Sequence, residues 1–97
     1  MFLELHVIEN SYMTRNIRKL VSDSLKKDYT KLLTVVAANI KVLRENNKLT
    51  QEEMEEKIDY TTRFIQKLES GNYAPNLLTL TRIARFFGVS VSKLLEE

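Results

Sequence analysis

The chain has 97 residues, of which 43% are hydrophobic and 29% are charged, and its formal net charge is +2. This balance is typical of a globular domain and excludes a disordered or membrane-embedded chain, while the length suits one core with an attached segment. Cysteine is absent, which excludes disulfides, thiolate metal sites and cysteine catalysis and fits a reducing cytoplasm. With only 2 Gly and 1 Pro, the chain is predicted to be mostly helical.

The first residues, MFLELHVI, are apolar with two polar interruptions, and the β-branched Val7 and Ile8 favour a short strand or arm. Between residues 13 and 27, apolar residues recur at helical spacing, which predicts an amphipathic helix in need of a partner surface. These apolar positions are Ile17, Leu20, Val21 and Leu25. No apolar run approaches the ~20 residues of a membrane-spanning helix, so we expect no membrane partner.

A second helix is predicted from Asp28 or Thr30, either of which can cap it, to about Asn46. Its apolar stripe comprises Leu33, Val36, Ala37, Ile40 and Leu43. The start of the next helix is better defined, because Thr50 and Glu53 form the S/T-x-x-E capping box. The sequence therefore places a helix boundary on each side of residues 47–49.

The helix that begins at Thr50 is short, since Thr61 offers a fresh cap just after Tyr60. The third helix stops at Gly71, and a fourth runs from an Asn76 cap to Gly88. Residues predicted to face inward are Ile65 and Leu68 on the third helix and Leu77, Leu80, Ile83, Ala84 and Phe87 on the fourth. A last short helix is expected to start at Ser90 and to carry Leu94 and Leu95.

Two helices joined by a tight turn, the second starting on its own cap, are the geometry of a helix-turn-helix. From about residue 36 to the C-terminus the chain resembles the Cro/phage-repressor-like helix-turn-helix proteins, also called the xenobiotic-response-element (XRE) family. The matching features are Leu43-Arg44, Thr50-Gln51-Glu52-Glu53, Ile65-x-x-Leu68-Glu69-x-Gly71, and Pro75-Asn76-Leu77 leading to Phe87-Gly88-Val89-Ser90.

The resemblance implies an all-α, five-helix lambda-repressor-like DNA-binding domain over residues 30–97. Residues 1–29 would form an N-terminal extension made of the arm and the amphipathic helix. It also implies a transcription regulator that is not an enzyme, and the residues agree, since no nucleophile with an accompanying base can be argued. His6 is the only histidine, so we expect no metal site and no cofactor.

The third helix carries the residues expected to contact bases. A step of about 100° per residue turns Thr61, Ile65 and Leu68 inward and leaves an outward set, here called the reading edge. The reading edge consists of Thr62, Arg63, Gln66 and Lys67. Arginine and lysine can donate to guanine, glutamine can pair with adenine, and threonine offers a hydroxyl or a methyl group. Phe64 lies beside this edge and either touches a thymine methyl or sugar, or covers the rim of the core.

Other polar residues are candidates for contacts with DNA phosphates. Gln51 stands at the N-terminus of a helix, where free N–H groups and the helix dipole favour an anion, and the family resemblance implies the same role. Asn72, Tyr73 and Asn76 could hold a second phosphate, although turn-forming and capping roles are equally open for these residues.

Three features have a structural interpretation. Arg44 and Glu69 correspond to a charge pair that, in the resembling family, ties the first helix of the domain to the recognition helix. Glu55 stands where that family usually has a small residue, so its side chain must turn outward or the helices must separate slightly. Asp59 stands where glycine is usual, and aspartate tolerates left-handed backbone.

One such domain reads few base pairs, so we expect a homodimer on double-stranded DNA in the cytoplasm. The dimer surface is either the N-terminal extension or a C-terminal patch. That patch comprises Phe86, Val89, Val91, Leu94 and Leu95. An alternative function is that of an antitoxin, in which the N-terminal segment binds a toxin protein and the helix-turn-helix autoregulates the operon. A domain that has kept only protein contacts is a third interpretation.

Overall fold

A computed structural model describes the backbone of residues 11–97 and the side-chain surroundings of residues 22–97. In this part the chain forms five α-helices. They are α1 (Ser11–Asn46), α2 (Gln51–Ile58), α3 (Thr62–Glu69), α4 (Leu77–Phe87) and α5 (Val91–Leu95). The predicted all-α, five-helix class is confirmed, and the strand or arm predicted at the extreme N-terminus lies outside the described residues. Within residues 11–97, no helix combines the length and the apolarity needed to cross a bilayer.

The break predicted at Asp28 or Thr30 is wrong, because α1 is one helix of 36 residues that runs through both positions. A polar cap stabilises a helix start by about 1 kcal/mol only where the first N–H groups lack carbonyl partners. Inside a continuing helix those N–H groups are already bonded. Thr30 lies inside the helix, where its carbonyl oxygen accepts from the Thr34 hydroxyl at 3.1 Å.

The core lies between the C-terminal half of α1 and the other four helices. The largest fully buried side chains are Ile40, Met54, Ile65, Leu68, Ile83 and Leu94. Burial of Leu94 corrects the prediction that it belongs to a surface patch for dimerisation. Leu77, predicted to face inward, is 76% exposed. It is the first residue of α4, and helical side chains point back toward the N-terminus of their helix.

The ends of the helices follow the predicted turn chemistry. Thr50 and Glu53 form a complete capping box, with the Thr50 hydroxyl accepting from the Glu53 N–H at 3.0 Å and the Glu53 carboxylate accepting from the Thr50 N–H at 2.8 Å. Asp59, at the position of the expected glycine, has a φ of 63°, and Lys48, after α1, has a φ of 60°. Both residues therefore end a helix in the left-handed conformation.

The N-terminal half of α1 extends beyond the core. Every residue from 22 to 30 is exposed, and we call residues 11–30 the overhang. Where α1 enters the core, α5 is fixed to it by Asn39, whose Nδ2 donates to the carbonyl oxygens of Leu94 at 2.9 Å and Glu96 at 2.7 Å. These bonds hold the C-terminal end of the chain beside the core half of α1.

Candidate nucleic-acid interface

Helix α3 begins directly after Thr61, whose backbone is extended and whose side chain caps the helix. Thr61, predicted to face inward, is exposed, because it precedes the helix as its cap. It has φ −68° and ψ 154°, and its hydroxyl accepts from the Phe64 N–H at 3.1 Å. Ile65 and Leu68 are buried to 0% and 1% exposure, so one side of this eight-residue helix is fixed in the core. The rotation of α3 about its own axis is thereby determined.

On the opposite side, the structure leaves most of the reading edge open to solvent. Arg63, Gln66 and Lys67 are exposed, while Thr62 is half-buried. A hollow of about 500 Å³ beside α3 is lined by Thr61, Arg63, Phe64, Gln66, Lys67 and Ser70. Three side chains of the reading edge therefore converge on one concave surface that no other described part of the chain covers.

Aromatic rings support this surface from behind. Phe64 is half-buried and packs edge-on against Tyr60, with ring centroids 4.9 Å apart, and against Tyr73, at 5.6 Å. Phe64 therefore covers the rim of the core, one of its two sequence-based interpretations, and also lines the hollow. The cations Lys67 and Arg82 stack on the outer rings, at 5.0 Å from the Tyr73 centroid and 4.7 Å from the Tyr60 centroid.

The C-terminal end of α3 is tied to α1 and α2 by a buried ion pair. Arg44 donates from Nε to Glu69 Oε2 at 2.7 Å and from Nη2 to Glu69 Oε1 at 3.0 Å. Their side chains are only 10% and 5% exposed, and hydrogen bonding to Glu69 raises the pKa of Arg44. The guanidinium also donates from Nη1 to the carbonyl oxygen of Leu49 at 2.8 Å, ahead of α2.

Gln51, predicted to contact a phosphate, joins the same network. Its Nε2 donates to Glu69 Oε1 at 3.1 Å, so its amide is oriented by the ion pair. Around it lies a polar hollow of about 490 Å³, lined by Lys41, Arg44, Glu45, Thr50, Gln51, Gln66 and Glu69. Gln51 and the reading-edge residue Gln66 thus share one surface.

The remaining predicted phosphate contacts lie in the loop after α3. Asn72 is exposed, and its N–H donates to Ser70 Oγ at 3.1 Å. Tyr73 is half-buried against Phe64. The exposed Asn76 caps α4, since its Oδ1 accepts from the Thr79 N–H at 2.8 Å. Asn72, Tyr73 and Asn76 therefore have turn-forming, packing and capping roles, respectively. All three lie on the same side of the domain as the end of α3.

Glu55 has a role that the sequence analysis missed. Its side chain turns outward, and its carboxylate accepts a hydrogen bond from the backbone N–H of Thr62 at the start of α3. Hydrogen bonding by the hydroxyl and the backbone N–H of Thr62 lowers the pKa of Glu55. Only a partial signal was available: free N–H groups at a helix start attract carboxylates, and Glu55 lies seven residues ahead of that start, across the turn between α2 and α3.

The comparisons with known proteins agree with this geometry. The helix-turn-helix family profile matches residues 40–94. An immunity repressor from Bacillus phage phi105 is 34% identical over 62 residues, which are 64% of this chain and 43% of that protein. An uncharacterized HTH-type transcriptional regulator from Methanothermobacter thermautotrophicus is 44% identical over 50 residues, 48% of this chain and 72% of that protein.

Among solved structures, the crystal structure of the hypothetical transcription factor NHTF from Neisseria is similar, with a TM-score of 0.62 and 25% identity. The match covers 67% of this chain and 75% of that chain. This chain spans less than half the length of the phage repressor that it matches, at 43%. By the profile match, the relatives and the arrangement of α2 and α3, the chain belongs to the Cro/phage-repressor-like helix-turn-helix family.

Proposed function

We propose that this chain is a transcriptional repressor that binds a pseudo-palindromic operator in double-stranded DNA as a homodimer. The observation that supports it is the exposure of Arg63, Gln66 and Lys67 on one side of a helix whose other side is fixed by Ile65 and Leu68. A helix held in this way can enter the major groove without rearranging its core. The repressor name of the phage relative supports the direction of control.

The reading edge has the chemistry for direct readout. Arg63 and Lys67 can each donate to guanine O6 and N7, and Gln66 can pair with adenine N6 and N7. Each good bidentate pair contributes roughly 1–3 kcal/mol of discrimination. Thr62, near the N-terminal end of α3, offers a hydroxyl to a base. Phe64 is close enough to this edge to present its ring to a thymine methyl.

The phosphate contacts would come from both sides of α3. Gln51 carries an amide already oriented by Glu69, and it sits at the positive end of α2. Asn72, Tyr73 and Asn76 supply donors on the other side. The first turn of α2 also carries Glu52 and Glu53, which repel phosphate, so the approach to DNA is restricted to the Gln51 edge of that helix.

The proposal is tested by selecting bound sequences from a random DNA pool and repeating the selection with two variants. Arg63→Ala should lower the preference for one base in each half-site, because a base contact specifies sequence. Gln51→Ala should weaken binding to every sequence alike, because a phosphate contact carries no sequence information. Arg85→Ala, which removes an exposed arginine from α4, is the matched control and should change neither property. Equal losses on all sequences for Arg63→Ala would show that Arg63 is not a base contact.

The antitoxin function is the second candidate. The exposure of Leu25 and Tyr29 on the overhang, at 66% and 50%, supports it, since a toxin could cover this apolar surface. Both candidates require the same DNA-binding edge and place the protein in the cytoplasm. A gene for a toxin-like protein beside this one, and co-purification of its product with this chain, would favour the antitoxin.

A further inference from the structure

Two carboxylates hold the two ends of α3. At the C-terminal end, Glu69 accepts hydrogen bonds from Arg44 of α1 and Gln51 of α2. At the N-terminal end, Glu55 of α2 accepts from the backbone N–H of Thr62, the first residue of α3. Helix α3 is therefore tied to its neighbours by polar side chains at both ends, in addition to the burial of its inner face.

The two hydrogen bonds between α2 and α3 lie well apart. Gln51 is the first residue of α2, and Glu55 lies about one turn further along. Thr62 and Glu69 are the first and last residues of α3, which are about 10 Å apart along the helix axis. A single bond would let one helix pivot about it, whereas two bonds at this separation restrain the angle. The core brings α2 and α3 together, and the pair of bonds holds the angle at which they meet.

The Glu55 carboxylate occupies a position that an anion from DNA would otherwise favour. Among the first N–H groups of α3, that of Phe64 is bonded to the Thr61 hydroxyl and that of Thr62 to Glu55. Hydrogen bonding with Thr62 also lowers the pKa of Glu55, so its side chain is negative at neutral pH. Because like charges repel, a phosphate is disfavoured at this helix start. The start of α3 therefore suits a base edge better than the DNA backbone.

The reading edge is divided between the two ends of α3. Thr62 and Arg63 lie in the first turn, beside the bond to Glu55. Gln66 and Lys67 lie in the last turn, beside the buried ion pair. Loss of the Glu55 bond would release the first turn, while the last turn would stay held. A pivot of α3 about its held end then displaces the first pair of side chains most.

We propose that Glu55 is a positioning residue for base recognition by Thr62 and Arg63. By accepting the Thr62 N–H, Glu55 holds the first turn of α3 at the angle at which these two side chains meet their bases. The inference rests on the DNA binding proposed above and deepens it, because Glu55 itself contacts no base. Its effect is on sequence preference at one end of the half-site.

The first experiment measures the orientation of α3 without DNA. Residual dipolar couplings of the backbone N–H groups in the isotope-labelled full chain report the angle between α2 and α3. Glu55→Ala should change the couplings of α3 relative to those of α2, because the acceptor is lost. Glu55→Gln should keep the wild-type couplings, since its amide oxygen can accept the same bond. Identical couplings in the wild type and Glu55→Ala would overturn the proposal.

The second experiment compares base preferences after selection from a random DNA pool. Thr62→Ala and Arg63→Ala identify the positions read by the first turn of α3, and Lys67→Ala identifies those read by the last turn. Glu55→Ala should lower the preference at the first set by at least about threefold, in proportion to the loss of one hydrogen bond. It should leave the preference at the second set unchanged.

Rescue by glutamine separates positioning from charge. Glu55→Gln and Glu55→Ala lose the same negative charge, so a charge effect is common to both variants. We expect Glu55→Gln to keep the wild-type preferences at every position, because only the bond to Thr62 differs between them. Equal loss of preference in both variants would show that the charge, and not the hydrogen bond, is responsible.

Glu56→Ala is the matched control. Glu56 is the next residue of α2 and is exposed, as Glu55 is, so its replacement removes an identical side chain from the same helix. It should change neither the couplings nor the base preferences. Weaker binding by Glu55→Ala with the same relative preference at every position would mean that Glu55 acts through stability alone, which contradicts a positioning role.

The measurement without DNA separates this inference from the proposed function. If the couplings change as expected and the wild type selects no sequence, the proposed function fails while the restraint on α3 stands. If the wild type selects an operator and Glu55→Ala selects it with the same base preferences, the positioning role fails while the proposed function stands.

Discussion

Arg44 stands where three helices meet, at the end of α1, ahead of α2 and beside the end of α3. Its guanidinium forms two hydrogen bonds with Glu69 and a further one with the Leu49 carbonyl oxygen. A buried ion pair contributes little net stability compared with an apolar pair of the same shape, but loss of one partner leaves an uncompensated charge. The pair therefore fixes how the helices meet more than it stabilises the fold.

Substitution of Arg44 by alanine should be strongly destabilising. We expect Arg44→Ala to lower the free energy of unfolding by about 3–5 kcal/mol, because Glu69 would remain buried without its cation. Urea denaturation measures this loss. Lys31→Ala removes the cation of an exposed pair, with side chains 64% and 69% exposed, and should cost less than about 1 kcal/mol. Similar losses of unfolding free energy for both variants would mean that burial does not determine the cost of breaking the Arg44–Glu69 pair.

Residue-level roles were predictable where a residue acts within its own helix turn, and harder where it reaches another element. Thr50, Thr61 and Asn76 cap the helices that the sequence assigned to them. For Glu55, the sequence left open whether the side chain turns outward or separates the helices, and it could not show the bond to Thr62. That bond depends on the angle between α2 and α3, which only the packing determines.

Among the helices, α1 ends in a left-handed turn at Lys48, and lysine is an unusual residue at such a position. The Lys48 N–H donates to the Glu45 carbonyl oxygen at 2.9 Å, and the Leu49 N–H donates to the Arg44 carbonyl oxygen at 3.2 Å. This is the Schellman pattern, in which the residue with positive φ is most often glycine. A lysine side chain at φ 60° is strained by its Cβ.

Relief of this strain should stabilise the protein. Lys48→Gly is expected to raise the free energy of unfolding by roughly 1 kcal/mol, because glycine adopts positive φ without a Cβ clash. Lys48→Ala removes the same charge but keeps the Cβ, so it should leave the stability nearly unchanged. Thermal denaturation of the wild type and the two variants distinguishes these effects. An effect of charge would change the stability of both variants equally, whereas an effect of the backbone would appear only in Lys48→Gly.

The caps of α2 and α3 predict a dependence of stability on pH. Hydrogen bonds from the Thr50 backbone and side chain lower the pKa of Glu53, as those of Thr62 do for Glu55, from the ordinary value of 4.5. A lowered pKa in the folded state means that both carboxylates stabilise the fold above pH 4.5 and lose this effect as the pH falls through their folded pKa values.

Urea titrations between pH 7 and pH 3 measure this dependence. We expect the double variant Glu53→Gln and Glu55→Gln to lose less stability on acidification than the wild type, since glutamine can still accept these bonds but does not titrate. Glu56→Gln removes one negative charge from the same helix and serves as the control. An unchanged slope in the double variant would contradict a role for these caps in the acid response.

The helix order and most boundaries were predictable, because caps and glycines mark them locally. The division of α1 was not, since Asp28 and Thr30 are good caps only at a real helix start. The inward position of Leu77 was also wrong, because periodicity gives the angle around a helix but not how far the facing element extends. The reading edge was placed on α3 by periodicity, and its contacts with DNA stay a prediction.

For the whole molecule, we propose that residues 30–97 form the DNA-binding domain and that residues 1–29 form an attached extension. Helix α1 continues without a break across this boundary. The boundary is marked by a change in burial instead, since residues 22–30 are exposed and the buried side chains begin at Val36. Asp28 or Thr30 could act as a helix cap only in a chain shortened to begin at or just before that residue.

A chain that begins at Thr30 tests this division. It should unfold cooperatively, with a free energy of unfolding within about 1 kcal/mol of that of the full chain, because the deleted residues 22–29 are exposed. The shortened chain should also bind one half-site. An unfolded product would show that residues 1–29 belong to the same folding unit.

The unbroken course of α1 has a mechanical consequence. Residues 11–46 contain neither glycine nor proline, and sharp kinks in helices occur mostly at such residues. A molecule bound to the exposed half of α1 would therefore be held at a fixed distance from Arg44, which binds the end of α3 through Glu69.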